Sequence, residues 1–163
     1  MQHSTRFLMV FGACFLVGML SVSHSLARPD FGIRGGAYDN SGDDMNEDAF
    51  IGAEALFGMD DVHRWYGNPN VEHAFVDNGD LTSLSFDFHY DFVNTKTLSF
   101  WGGAGPTVLF MDGDAFADRE DTDLGANVLV GFGSSSGNVR PYAQMKVVFA
   151  DDNTAVIGAG VRF

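Results

Sequence analysis

The sequence predicts an all-β chain: an eight-stranded, antiparallel, up-and-down transmembrane β-barrel that follows a cleaved signal peptide. Three observations predict it. Apolar and polar residues alternate with period two in seven separate segments, the spacing at which a strand divides two environments. No charged residue falls on any of the seven apolar faces, where a charge at mid-bilayer costs roughly 2–4 kcal/mol. The opposite faces mix charges with glycine, of which the chain has 20. Glycine suits the cramped interior of an eight-strand barrel better than a solvated wall.

Composition sets the outer limits. The chain has 163 residues, enough for one domain, and at 45% hydrophobic and 19% charged it is neither disordered nor low in complexity. Nine Lys+Arg against 22 Asp+Glu give a net charge of −13. That balance excludes a nucleic-acid partner, because phosphate-backbone affinity rests on clustered bases.

The first element is a signal peptide over residues 1–27, followed by a barrel domain over 28–163. Arg6 precedes the apolar run Phe7–Leu20, and Ser25 and Ala27 are the small residues before the cut. The run is short of the ~20 residues that a membrane helix needs, and no later segment approaches that length. Cys14, the only cysteine, lies inside the run. The mature chain therefore has no disulfide and no thiolate nucleophile.

Eight strands follow. Phe31, Ile33, Gly35 and Ala37 oppose Gly32, Arg34, Gly36 and Tyr38. Ala49, Ile51, Ala53, Ala55 and Phe57 oppose Phe50, Gly52, Glu54 and Leu56. Between Asp60 and Asp80 the pattern is weak, with Gly67-Asn68-Pro69-Asn70 breaking it. One poor strand there sets Val71, His73 and Phe75 against Glu72, Ala74 and Val76. The alternation is strictest next: Leu84, Phe86, Phe88, Tyr90 and Phe92 against Ser83, Ser85, Asp87, His89 and Asp91. Leu98, Phe100, Gly102, Ala104, Pro106, Val108 and Phe110 oppose Ser99, Trp101, Gly103, Gly105, Thr107 and Leu109. Leu124, Ala126, Val128, Val130 and Phe132 oppose Gly125, Asn127, Leu129, Gly131 and Gly133. Val139 to Phe149 sets Pro141, Ala143, Met145 and Val147 against Arg140, Tyr142, Gln144, Lys146 and Val148. Ala155, Ile157, Ala159, Val161 and Phe163 face away from Val156, Gly158, Gly160 and Arg162.

Pro106 and Pro141 each remove a ladder donor, so both are expected at a rim or a bulge. Aromatic residues gather near strand ends (Phe31, Phe57, Tyr90, Phe92, Phe110, Phe132, Phe149, Phe163), where interfacial girdles form. The connections alternate between acidic segments, two of them long, and short turns, as two distinct rims require. A soluble barrel that buries Phe86, Phe88 and Tyr90 is the rival fold.

Over Phe31 to Phe163 the sequence resembles the small OmpA/OmpX-type outer-membrane β-barrels of Gram-negative bacteria. The ending Gly158-Ala159-Gly160-Val161-Arg162-Phe163 is similar to that family's C-terminal assembly signal, carried by Gly158, Val161 and Phe163. Gly102-Gly103-Ala104-Gly105 resembles its glycine-rich fifth strand. The resemblance implies location in the outer membrane and contact with its lipid and lipopolysaccharide. It also implies handling by the outer-membrane assembly machinery through Phe163. No peptidoglycan-binding module is expected after Phe163, and the barrel is expected to be a monomer.

The candidate site is a lumen charge network. Arg34, Arg140, Lys146 and Arg162 share the polar faces with Glu54, Asp87, His89 and Asp91. Bases and acids in a low-dielectric tube should pair, because an unpaired buried charge is costly. A salt-bridged plug and a gated, narrow path for ions or small solutes are the two readings of that network. His89, between Asp87 and Asp91 with Ser85 beyond, raises a third: a lipid A-modifying barrel enzyme. Same-face residues on one strand lie ~7 Å apart, so a triad needs partners from other strands; no catalytic residue is assigned. The acidic runs Asp43, Asp44, Glu47, Asp48 and Asp112, Asp114, Asp118, Glu120, Asp121, Asp123 offer oxygen ligands for Ca²⁺ or Mg²⁺. They lack EF-hand register and read as solvated loops, so no metal or cofactor is expected. His63 and His73 fall in the weak stretch, and Trp65 and Tyr66 beside Arg64 either anchor the interface or pack a turn. The expected role is structural or surface-interacting.

Overall fold

The computed structural model describes residues 29–40, 47–60, 64–113 and 121–163. The signal-peptide expectation lies outside them, as do His63 and the loop acids Asp43, Asp44, Asp114, Asp118 and Glu120. Eight strands are present: β1 (Asp30–Asn40), β2 (Glu47–Gly58), β3 (Trp65–Val76), β4 (Gly79–Asn94), β5 (Ser99–Gly113), β6 (Thr122–Gly133), β7 (Arg140–Phe149) and β8 (Thr154–Arg162). Each pairs antiparallel with its sequence neighbours, and β1 pairs with β8, closing the barrel. Closure leaves no edge, the condition for a strand structure to stand in lipid. Even the shortest strand, nine residues, falls in the ~9–11 range that crosses a bilayer when tilted.

The alternating faces become the two walls. Phe31, Ile33, Ile51, Phe75, Phe88, Leu124, Phe132 and Ile157 are exposed on the outside, Leu124 to 75%. Arg34, Glu54, Ser83, Ser85, Asp87, His89, Asn127 and Lys146 are buried on the inside. This arrangement overturns the soluble rival, since Phe88 is an exposed residue and Phe86 and Tyr90 are not part of a core.

β3 departs from expectation by starting earlier. It runs straight through Gly67-Asn68-Pro69-Asn70, and the connection before it spans 59–64. Pro69 is tolerated because the β2–β3 ladder skips it: pairing stops at Glu54↔Asn70 and resumes in the same register at Phe57↔Gly67. The Asn68 side chain donates to the Ala55 carbonyl at 3.1 Å, supplying a donor where the ladder has none.

Pro141 lies at the turn-end rim, one residue inside β7, its carbonyl accepting from the Ser134 N–H at 2.9 Å. Pro106 does not. It sits mid-strand, and the β4–β5 ladder skips it between Ser85↔Thr107 and Phe88↔Ala104 with no change of register. The skip replaces the bulge because the neighbouring Gly105 lets the strands crowd together. A Cβ there would stand 2.1 Å from the Phe86 carbonyl oxygen. The actual bulge lies nearer the turns, between Asp91 and Val93.

Both termini of the barrel and the connections 59–64, 95–98 and 134–139 share one end, here the turn end. Connections 41–46, 77–78, 114–121 and 150–153 share the other, the loop end. The second of these is a two-residue hairpin turn in which Asn78 takes φ 60°, a left-handed conformation asparagine tolerates well.

Candidate functional site: the interior of the barrel

Alternation delivers an inward side chain at every second residue of eight strands, and register decides which of them meet. Three layers result. Nearest the loops is an apolar cluster of Tyr38, Phe50, Ala74, Leu81, Leu109, Met111, Val148 and Val156, all buried. Tyr38 and Phe50 cross edge to face, ring centres 5.3 Å apart.

The middle layer holds the charges. Arg34 contacts two carboxylates, Glu72 at 2.5 Å and Glu54 at 3.5 Å, and also donates to the Asn70 side-chain oxygen. Glu72 takes a second cation, Lys146, at 2.6 Å and the Tyr38 hydroxyl at 2.5 Å. Glu54 takes the Arg162 Nε at 2.6 Å. The result is a continuous chain, Lys146–Glu72–Arg34–Glu54–Arg162, built from five strands. Such pairs lie in a low dielectric, where both Coulomb attraction and desolvation are large. Among the described residues Asp87 joins no cation directly. Its two oxygens accept from Asn70 and Asn127, each at 2.8 Å, and Asn127 also reaches Thr107, which meets Ser85 at 2.8 Å.

The layer nearest the turns is aromatic. Arg162 lies over the Tyr142 ring at 4.2 Å and the Trp101 ring at 5.0 Å, a cation–π arrangement. His89 stacks on Trp101, ring centres 6.2 Å apart. Below them a cavity of about 90 Å³ opens toward the turns, with Asp91 and Arg140 in its wall. Asp91 accepts from Ser99 at 2.8 Å and Asn94 at 3.1 Å, while Arg140 pairs with Asp30 at 2.5 Å.

The eight residues singled out in the sequence thus occupy three environments. Arg34, Glu54, Lys146 and Arg162 form the connected chain. Asp87 belongs to an amide–hydroxyl cluster beside it. Asp91, His89 and Arg140 lie toward the turn end, Arg140 only partly buried. Glu72, the residue that joins Lys146 to Arg34, was missing from that set, as were Asn68, Asn70 and Asn127. Continuing period two backward from Ala74 through Pro69 would have found three of these four on one face.

Among the described residues Ser85, Asp87 and His89 do not form a hydrogen-bonded relay. Ser85 is committed to Thr107 and Asp87 to two asparagines, and the His89 Nε2 has no hydrogen-bond partner. Among the described residues no group of three or more His, Cys, Asp or Glu side chains is placed to hold a metal ion.

Gly158, midway along β8, and Val161, near its turn end, sit on opposite walls of the strand, and Phe163 lies exposed beyond it. The Phe163 N–H donates to the Phe31 carbonyl at 2.8 Å.

No protein-family model matches the chain, and no curated protein does. Solved structures do. Neisserial surface protein A (NspA) superposes with a TM-score of 0.70 at 15% identity, covering 85% of this chain and 98% of that one. The N-terminal β-barrel domain of Pseudomonas aeruginosa OprF gives 0.58 at 16%, covering 82% and 97%. Ail, the attachment invasion locus protein of Yersinia pestis, gives 0.51 at 16%, covering 83% and 96%. The fold is that of the small outer-membrane β-barrels. Ail has also been crystallised with the heparin analogue sucrose octasulfate.

Proposed function

We propose that this chain is exported by cleavage after Ala27, inserted in the outer membrane, and serves there as a structural or surface-interacting barrel with a closed lumen. The observation that carries the closed lumen is the order of the interior layers. An apolar cluster lies between the loop end and the ion-pair chain, so a hydrated ion entering from the loops would meet Phe50, Leu81 and Leu109 first. Apolar constrictions resist wetting, and the charges beneath them are already committed, as ion pairs or, for Asp87, to amide donors. Eight strands enclose little more volume than their own side chains fill.

The outward belt of Ile, Leu, Val and Phe supports insertion, and the likeness to NspA, OprF and Ail supports the outer membrane as the place. The lumen charges act as scaffold, catalytic roles being absent. Lipopolysaccharide and lipid are the expected surroundings, the barrel stays monomeric, and Gly158, Val161 and Phe163 serve as the handle for the assembly machinery.

The loop rim favours cationic over polyanionic partners. The loop-end connections hold Asp43, Asp44, Asp77, Asp114, Asp118, Glu120, Asp121, Asp151 and Asp152 against one base, Arg119. Such a rim repels polyanions and attracts cationic partners.

Membrane fractionation, followed by electrophoresis of the outer-membrane fraction with and without boiling, tests the placement. A closed barrel resists SDS and migrates differently until heated. The closed lumen is tested in planar bilayers, where the wild type should give no discrete conductance steps. A detergent-free soluble protein refutes the first reading, and regular single-channel steps refute the second.

A further inference from the structure

At the turn end of the outer wall, one exposed cation is held beside an aromatic platform. Arg64 precedes β3 and is exposed. Its backbone is fixed from two directions: the Asp60 carboxylate accepts from the Arg64 N–H at 2.9 Å and the Trp65 N–H at 3.1 Å. The Arg64 carbonyl accepts from the Asp91 N–H at 2.9 Å. The guanidinium reaches across to β4, its Nη1 3.3 Å from the Tyr90 hydroxyl. Tyr90 is the register partner of Trp65, with ring centres 4.9 Å apart, and Tyr90 meets Phe92 at 5.3 Å. Toward mid-membrane the same wall continues as Phe88 and Phe86, 5.1 Å apart.

From Arg64 toward mid-membrane polarity therefore falls in steps, guanidinium, then phenol and indole, then the phenyl rings of Phe88 and Phe86, while Phe92 flanks Tyr90 on the turn side. A glycerophospholipid has the same order from phosphate through glycerol to acyl chain. Tyrosine and tryptophan prefer the depth where one end is wet and the other apolar. A guanidinium has five N–H donors in a planar fork that matches phosphate, and among the described residues it bonds one oxygen, the Tyr90 hydroxyl.

From this geometry we infer that Arg64, Trp65 and Tyr90 form a headgroup site for one phospholipid of the leaflet facing the turn end. Arg64 binds the phosphodiester, the Tyr90 hydroxyl orients the guanidinium, and the Trp65 and Tyr90 rings receive the glycerol backbone. The site rests on the membrane reading proposed above. It commits to a lipid rather than a free anion, because the aromatic strip would contribute nothing to inorganic phosphate.

Native mass spectrometry of the detergent-solubilised barrel, titrated with phosphatidylglycerol or phosphatidylcholine, tests it. The wild type should retain one phosphatidylglycerol more tightly than phosphatidylcholine. Arg64→Gln should weaken that binding about tenfold, the scale of one charge-assisted hydrogen bond. Arg64→Lys should recover part of it, and Trp65→Ala should weaken both lipids. Equal retention by the wild type and Arg64→Gln overturns the site, as does full displacement of lipid by millimolar inorganic phosphate. The heat-dependent gel shift is read on every variant. A wild type with a normal shift and no lipid preference refutes the lipid site alone, whereas a wild type without any shift refutes the membrane barrel itself.

Discussion

Glu72 joins three interior side chains through one carboxylate, and its removal should show it. Its carboxylate is shared by Arg34, Lys146 and the Tyr38 hydroxyl at 2.5–2.6 Å, with 2% of the side chain exposed. Glu72→Gln keeps the shape and removes the charge. Arg34 still has Glu54 at 3.5 Å, but Glu72 is the carboxylate that pairs Lys146 among the described residues. Breaking a buried pair by deleting one partner costs about 3–5 kcal/mol, because the remaining charge stays buried. That range applies to Glu72→Gln with Lys146 as the stranded ion. Glu72→Gln combined with Lys146→Met removes both charges and should recover most of the loss, leaving about 1–2 kcal/mol for the Arg34 and Tyr38 contacts. The assay is reversible urea unfolding in lipid vesicles, followed by the fluorescence of Trp65 and Trp101. A single variant within about 1 kcal/mol of the wild type would show that the pairs carry little net energy. A double variant no more stable than the single one would refute the stranded-lysine argument.

Opening the apolar layer should convert the closed lumen into a conducting one: Phe50→Ser and Leu81→Ser together should produce discrete steps in planar bilayers, and silence would contradict the layer's role as the seal. Gly105→Val should prevent closure, since the added Cβ would lie 2.1 Å from the Phe86 carbonyl oxygen and 2.8 Å from the Asp87 Cα; the readout is loss of the heat-dependent gel shift. Sucrose octasulfate should show no saturable binding by isothermal titration at low salt, the acidic rim repelling it. His89→Ala should leave the lipid A profile of a producing strain unchanged by mass spectrometry, whereas loss of an acyl modification would establish an activity at His89.

Much of this barrel was legible because its two walls differ chemically. Leu84 to Phe92 reads as a strand without any structure, each outward residue being apolar and each inward one polar. Legibility failed where that contrast fades. At the loop end both walls are apolar: Phe50 beside Ile51, Val148 beside Val147, Val156 beside Ile157. Period two still holds there, yet nothing in one strand says that the inward residues of several strands share a height. Closure and register supply that information, so the apolar layer was not foreseen. β3 failed for the opposite reason. Asn68, Pro69 and Asn70 are turn residues by habit, and only neighbours brought by the fold (Glu54, Ala55, Asp87) reveal the asparagines as lumen hydrogen-bonders. Glu72 was lost with them, since its partners Arg34 and Lys146 lie 38 and 74 residues away in sequence.

The interior also bears on why one register is populated rather than several. Lipid tails are as apolar as the outward side chains, so the outer wall gives little preference for one strand alignment over its neighbour. A slip by one residue would turn Arg34, Glu72 and Lys146 into the hydrocarbon, at roughly 2–4 kcal/mol for a base near the midplane. A slip by two would keep every face correct. It would still part Arg34 from Glu54 and Glu72, because two residues move a side chain by ~7 Å, well beyond the reach of an ion pair. The first error is rejected by the membrane and the second only by the lumen. On this argument the ion-pair chain acts chiefly as a register lock. Replacing the whole chain with apolar residues of equal volume should therefore cost little stability, yet yield several heat-modifiable bands where the wild type gives one.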